Sequence, residues 1–292
     1  MSADEALPYL QVFTPLTFTS HVSPLPPPDT TTTTTATDGP TPPPQPPLLQ
    51  QHSITASSTS PRGLFAARIE MTVNTKTMAI ASLAVPKLDP AAEGELRPFV
   101  ARIVQQQNSE TSPSRSSSSG VHNNVSVLAW GMGEWLRVAV ERAKVWMVLE
   151  REVGGDKDAL RGWWGGSEDE DEEDADGRDE GSVDGTAGKD HDAAALLPYM
   201  GRTSLDLEVP VLDGGEGKVS ALRVQWRITF DWTGEARSDI GVLVSVPGKW
   251  HKHDERGQLS GLPKLFDELV QRGEDPLAAV RTVVCLLAGE EK

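Results

Sequence analysis

Cysteine is almost missing from this chain, and that absence removes two classes at once. The lone thiol, Cys285, makes no intrachain bridge and supplies no Cys-rich zinc centre, so the sequence suits a reducing compartment, cytosol or nucleus. Long apolar runs are missing too: nothing approaches the roughly 18 residues that a membrane span needs, and no membrane partner is expected. The opening MSADEALPYL places Asp4 and Glu5 where a secretory leader carries positive charge, and Pro8 and Pro15 break the apolar patch behind it, so no signal peptide is expected. Positive charge is scarce throughout, with 27 Lys and Arg against 43 Asp and Glu. No basic stripe interleaved with aromatics exists to displace counterions from phosphates, and base-specific nucleic-acid contact is not expected.

The negative charge is local. Thirteen of the acidic residues fall in Ser167 to Asp192, against Arg178 and Lys189 alone, so that short stretch holds -11 of the formal -16. Its densest part is Glu168, Asp169, Glu170, Asp171, Glu172, Glu173 and Asp174. Such a run keeps a linker extended and soluble, or offers a docking site for a basic protein segment. Two further stretches, PLPPPDTTTTTTATDGPTPPPQPP (Pro24 to Pro47) and SETSPSRSSSSG (Ser109 to Gly120), hold too little apolar surface to offset the entropy of ordering. All three read as flexible insertions.

Between them lie two similar halves. Leu64 to Asn74 and Thr77 to Pro86 are β-like runs around the turn-prone Asn74-Thr75-Lys76, which predicts a hairpin. Leu88 to Val104 then reads as a helix opened by Asp89-Pro90, a cap followed by the one helical position that tolerates proline. From Val125 to Val153, Leu128, Met132, Trp135, Ala139, Arg142, Trp146 and Leu149 step by three or four, the signature of a long amphipathic helix. Gly131 and Gly133 weaken its first turns by about 1 kcal/mol each relative to Ala, which predicts a firm start only near Glu134.

The second half repeats the order. Leu205 to Leu212 is a candidate strand. Leu222, Val224, Trp226, Ile228, Phe230 and Trp232 alternate with polar residues in the next, and Ile240, Val242, Val244 and Val246 mark its return. Two helices follow, GLPKLFDELV ending near Gly273 and DPLAAVRTVVCLLAG opened by Asp275-Pro276. The apolar face of Leu222 to Trp232 is expected to be covered by this helix pair. Strands followed by helices, twice and without βαβ alternation, predict an α+β fold of two modules, each an antiparallel sheet covered on one face by helices. The expected limits are 1–61 for a mostly disordered Pro/Thr-rich segment with a possible strand at 9–19, 62–153 for the first module, 154–200 for the acidic linker and 201–292 for the second module.

Few residues invite chemistry. His251, His253 and Asp254, in KWHKHDE, offer imidazole and carboxylate donors but lack a fourth ligand nearby, so a metal-dependent enzyme is the remote reading and a solvated loop the nearer one. Cys285, between Val284 and Leu286 on the last helix, reads as a small core hydrophobe. DGGEGKVS fails as a phosphate loop, with Leu212 where a glycine is required and Val219 where a hydroxyl must hold magnesium. No catalytic residue, metal or cofactor is expected. Association is better served: Trp163 and Trp164 sit side by side in a glycine-flanked stretch next to the acidic run, and Trp250 stands near the end of a predicted element. These three tryptophans and the seven acidic residues named above are the candidate interaction residues. Ser/Thr-Pro pairs at Thr14, Ser23, Thr41, Ser60 and Ser112 could accept phosphate from a proline-directed kinase.

The order of elements resembles the tandem RWD arrangement of inner-kinetochore proteins. FTPLTFTS (Phe13 to Ser20), ARIEMTV, ELRPFVARI, the helix from Trp135 to Leu149 with its Arg142 and Trp146, VQWRITFDWTGEARSDIGVLVSVP, Asp254 and Gly257, LPKLF, Gly273 and AAVRTVV are similar to stretches of the CENP-P family. The CENP-O family is the close alternative. The likeness covers about two thirds of the chain and consists of core and turn patterns; the Thr/Pro insertion and the long acidic linker depart from it. It implies a non-enzymatic nuclear protein at the centromere. Such a protein heterodimerises through its RWD pair with a CENP-O-like partner, joins other kinetochore subunits, and ties centromeric chromatin to the outer kinetochore during chromosome segregation. RWD domains are related to ubiquitin-conjugating enzymes, whose cysteine lies on a loop after the sheet; Cys285 on a late helix does not match. A cytoplasmic RWD-type adaptor for a kinase or ubiquitin ligase shares the expected fold.

Overall fold

The expected hairpin of the first half is present. A computed structural model describes residues 11–25, 49–104, 123–153, 193–210, 219–245 and 258–288. In it β3 (Ala66–Asn74) turns back into β4 (Ala79–Lys87). Asn74 makes the turn: its Oδ1 accepts the backbone N–H of Lys76 at 3.0 Å and of Thr77 at 3.3 Å, replacing ladder bonds with side-chain ones. Two more strands, β1 (Leu16–Pro24) and β2 (Leu49–Ser58), complete an antiparallel meander in the order β1-β2-β3-β4.

Both added strands come from the stretch 1–61, where the sequence shows one candidate strand at 9–19. Gln11 and Val12 are instead helical and residues 13–15 a turn, with the Thr14 N–H on the Gln11 carbonyl at 3.4 Å, and the ladder begins with Leu16 opposite Ser58. The strand LQQHSITASS has little apolar signal because its inward positions, Ile54, Ala56 and Ser58, are mostly small. Ser58 is buried but satisfied, its hydroxyl accepting the Leu64 N–H at 3.0 Å.

Helix α1 (Pro90–Val104) starts as expected, with Asp89 Oδ1 accepting the Ala91 N–H at 3.0 Å. Helix α2 (Val125–Val153) corrects one expectation: it begins nine residues before Glu134. Asn124 caps it, its Oδ1 accepting from Ser126 and Val127 at 3.0 and 3.1 Å. The two glycines are tolerated because the helix passes close to its neighbours. A Cβ on Gly131 would lie 2.3 Å from Phe99 Cε1, and one on Gly133 would lie 3.0 Å from Thr14 Cβ.

In the second half β5 (Ser204–Pro210), β6 (Val219–Phe230) and β7 (Ala236–Ser245) form a sheet in that order, accompanied by α3 (Ala193–Met200), α4 (Gln258–Gln271) and α5 (Pro276–Ala288). The caps read from the sequence hold here. Asp275 and Pro276 open α5, with the Ala279 N–H on the Asp275 carbonyl at 3.0 Å. Gly273, at φ 86°, ends α4 with the Glu274 N–H reaching back to the Leu269 carbonyl at 3.2 Å. The α+β class is as expected: two antiparallel sheets and five helices among the described residues.

The alternating strand needs correction at its end and on its cover. Leu222, Val224, Trp226 and Ile228 are buried and Phe230 half-buried, but Trp232 is 72 % exposed because β6 ends at Phe230 and Asp231 begins a turn. The Trp226 indole meets Trp146 of α2 edge-on at 6.1 Å, so helix α2 supplies cover that the sequence did not assign to it, while α5 lies against β5 of the same sheet.

The packing separates into two compact units, residues 1–138 with 228–237, and 139–227 with 238–292. The first therefore contains the tip of the β6–β7 hairpin, and α2 contributes to both.

Candidate interaction surface

In the first unit, Phe99 on α1 organises the surroundings of the start of α2. Its ring is buried and lies 4.8 Å from that of Phe230, while Gly131 and Gly234 both turn their missing side chains towards it. Gly234 has φ +88°, which only glycine adopts freely, and a Cβ there would also stand 3.2 Å from the Val127 carbonyl and 3.3 Å from Trp130 Cδ1. The hairpin tip is thus seated directly on the first turns of α2.

Polar ties fix it there. Glu95 on α1 accepts the Trp135 indole N–H and the Ile228 backbone N–H, both at 2.9 Å, joining α1, α2 and β6 through one carboxylate. Arg102 donates to the Asp231 carbonyl at 2.5 Å. The Asp231 side chain shapes the turn, accepting the Thr233 hydroxyl at 2.6 Å, the Thr233 N–H at 2.8 Å and the Glu235 N–H at 3.2 Å. The Thr233 hydroxyl bond holds this carboxyl below its ordinary value; partial burial opposes that, and the two backbone donors and the Arg237 charge reinforce it.

A groove of about 430 Å³ opens between the turn before β1, the first turns of α2 and the hairpin tip. Phe13, Val127, Ala129 and Trp130 give it apolar walls, and Thr14, Ser126 and Thr233 set hydroxyl-bearing side chains among them. Phe13 is 69 % and Trp130 36 % exposed, and two further exposed residues, Val12 and Trp232, directly flank lining positions in the sequence. Apolar side chains this large, left in water around a concavity, are the property by which association sites are recognised.

The second unit uses its polar side chains internally. Arg142 is fully buried on α2 and donates from Nη1 to the Trp226 carbonyl and from Nη2 to the Met200 carbonyl, each at 2.9 Å. One guanidinium therefore fastens α2 to β6 and to the end of α3. The Trp146 indole donates to the Arg202 carbonyl at 3.0 Å. Nearer the surface, Glu150 accepts the Tyr199 hydroxyl at 2.7 Å and pairs with Arg202 at 2.5 Å. Partial burial pushes the Glu150 carboxyl up, but the Tyr199 and Arg202 hydrogen bonds together outweigh it and hold the group below its usual range. Arg281 pairs with Glu152 at 2.5 Å, tying α5 to the last turn of α2.

Of the residues singled out from the sequence, Trp163, Trp164, Trp250 and the acidic Glu168, Asp169, Glu170, Asp171, Glu172, Glu173 and Asp174 lie outside the described residues, as do His251, His253 and Asp254. Cys285 is half-buried on α5. Among the described residues no group of three or more His, Cys, Asp or Glu could hold a metal ion, and no helix is long and apolar enough to cross a membrane. The groove itself was not anticipated. Phe13 and Trp130 are 117 positions apart in the sequence and no period links them; the available signal is a Trp directly before Gly131, a Phe directly before Thr14-Pro15 and the Asp-Trp-Thr-Gly turn. Set against known proteins, the chain matches no family model and no curated protein.

Proposed function

We propose that the protein is a non-catalytic subunit of the inner kinetochore: a tandem RWD-type adaptor that heterodimerises with a CENP-O-like partner and links centromeric chromatin to the outer kinetochore. One observation carries the non-catalytic, associative part of this reading. Buried or half-buried charged side chains such as Arg142 and Glu95 hold backbone and indole groups of their own fold, whereas the large aromatic side chains Phe13 and Trp130 are left facing water along a groove and Trp232, next to the lining residue Thr233 in sequence, is exposed as well. The assignment to the kinetochore rests on the resemblance of the strand-and-helix order and of VQWRITFDWTGEARSDIGVLVSVP to the CENP-P family.

The test is affinity purification of the tagged full chain from nuclear extract of dividing cells, with fluorescence imaging of the same fusion. A stoichiometric partner of the CENP-O type and discrete centromeric foci are the expected results. A monodisperse chain that captures no such partner and stays diffuse, or remains in the cytoplasm with a kinase or ligase, overturns the assignment.

A further inference from the structure

We infer that Thr14 is a phosphorylation site for a proline-directed kinase, placed so that its modification turns the Phe13–Trp130 groove from apolar to anionic. The inference goes beyond the adaptor reading and is independent of it. Three Ser/Thr-Pro pairs fall on described residues, at Thr14, Ser23 and Ser60. Ser23 lies within the β1 ladder opposite Gln51, and Ser60 is exposed in the turn after β2. Thr14 is the one of the three that lines the groove.

Access favours Thr14. It is half-buried, but Phe13 before it and Pro15 after it are exposed, and all three precede the first ladder pair, Leu16 with Ser58. Drawing the segment into an extended kinase-bound form leaves the ladder from Leu16–Ser58 onward paired; among the bonds it releases are the 3.4 Å Thr14 N–H bond to Gln11, the 3.0 Å Thr59 N–H bond to Pro15 and the 3.5 Å bond from Gln11 Nε2 to the Phe18 carbonyl. The atoms of Thr14 nearest the bare Cα of Gly133 are Cβ and the methyl Cγ2, at 3.0 and 3.1 Å from an ideal Cβ there. The methyl is thus packed on the helix.

In the transfer, Thr14 Oγ1 attacks the γ-phosphorus of a nucleoside triphosphate. The Oγ1–P bond forms, and the bond to the β,γ-bridging oxygen breaks with its electron pair leaving on the nucleoside diphosphate. The hydroxyl proton passes to the kinase base and on to solvent. The product carries about -1.5 to -2 charges at neutral pH beside the rings of Phe13 and Trp130.

The experiment treats the full chain with a purified proline-directed kinase and ATP and maps phosphate by peptide mass spectrometry. Thr14→Val keeps the methyl packed on Gly133 and removes the acceptor; Thr14→Ser keeps the acceptor. Phosphate on residue 14 is expected in the wild type and T14S and not in T14V. The anionic quencher iodide should then quench the tryptophan emission of phosphorylated wild type less than that of identically treated T14V, with neutral acrylamide unchanged, and the difference should vanish in a Trp130→Phe background. Modification of Ser60 with residue 14 left bare overturns the proposal, and so does stoichiometric phosphate on Thr14 with iodide quenching equal to that of T14V.

Discussion

Replacing Gly131 by Ala sets helix propensity against packing, and the structure says which wins. In an open helix interior the change stabilises by about 1 kcal/mol, since glycine loses more backbone freedom on folding. Here the new Cβ would stand 2.3 Å from Phe99 Cε1 and 2.5 Å from Cζ, far inside the ordinary contact of about 3.5–4.0 Å. Phe99 is confined: its ring is buried and lies 4.8 Å from that of Phe230. Overpacking costs about 1–3 kcal/mol and an off-rotamer ring about 0.5–1.5 more, so after the propensity gain the net is a loss of about 0.5–3.5 kcal/mol. Gly94→Ala is the matched control in the same unit, with nothing within 4 Å of its ideal Cβ, and should gain about 0.5–1 kcal/mol. Urea titration followed by tryptophan fluorescence reads both variants. A G131A midpoint at or above wild type refutes the packing argument, whereas partial recovery in a G131A/F99L double variant would confirm that the two positions share one space.

Arg142→Met should lower stability by about 2–4 kcal/mol, because the buried Trp226 and Met200 carbonyls each lose a donor; an unchanged thermal midpoint would contradict the bridging role. The folded forms of Glu150 and Asp231 hold their carboxyls below ordinary values, so their contribution is fully present above the unfolded pKa and drains away as pH falls from about 5 through the folded values. Denaturation midpoints measured down the acid limb should drop, and Glu150→Gln should flatten that slope; a parallel curve for the variant removes Glu150 from the account. Trp232→Ala, at a side chain 72 % exposed, should change stability by less than about 0.5 kcal/mol. In pull-downs the same variant should retain about tenfold less partner, and retention equal to wild type would place the interface elsewhere.

What could be read in advance was local. Asp89-Pro90, Asp275-Pro276 and Gly273 act within one turn of themselves, and the alternation from Leu222 to Ile228 reports one buried face, so caps, the hairpin and every described helix except α3, which lies in the stretch read as linker, are visible as sequence. The misreadings share a cause. β2 packs through Ile54, Ala56 and Ser58, residues too small to register as a hydrophobic period. Gly131 and Gly133 looked like weak helix because the ring and the threonine that require them lie about 30 and 120 positions away, distances over which periodicity is silent. Trp232 continues an alternation that the backbone abandons at Asp231, whose own carboxylate bends the chain. The groove depends on three such distant neighbours together, so no single stretch announces it.

The tip of the β6–β7 hairpin is fastened by Glu95 to an element 133 positions earlier. A protease cut in the acidic stretch would therefore not release two finished pieces, since the upstream fragment would lack its Phe230 and Ile228 while the downstream one kept them with nothing to seat upon. During synthesis the ribosome must deliver the chain as far as Arg237 before the earlier-made sheet and helices can close over Phe99. Expressed apart, the two fragments should be poorly soluble, and when mixed they should rescue each other.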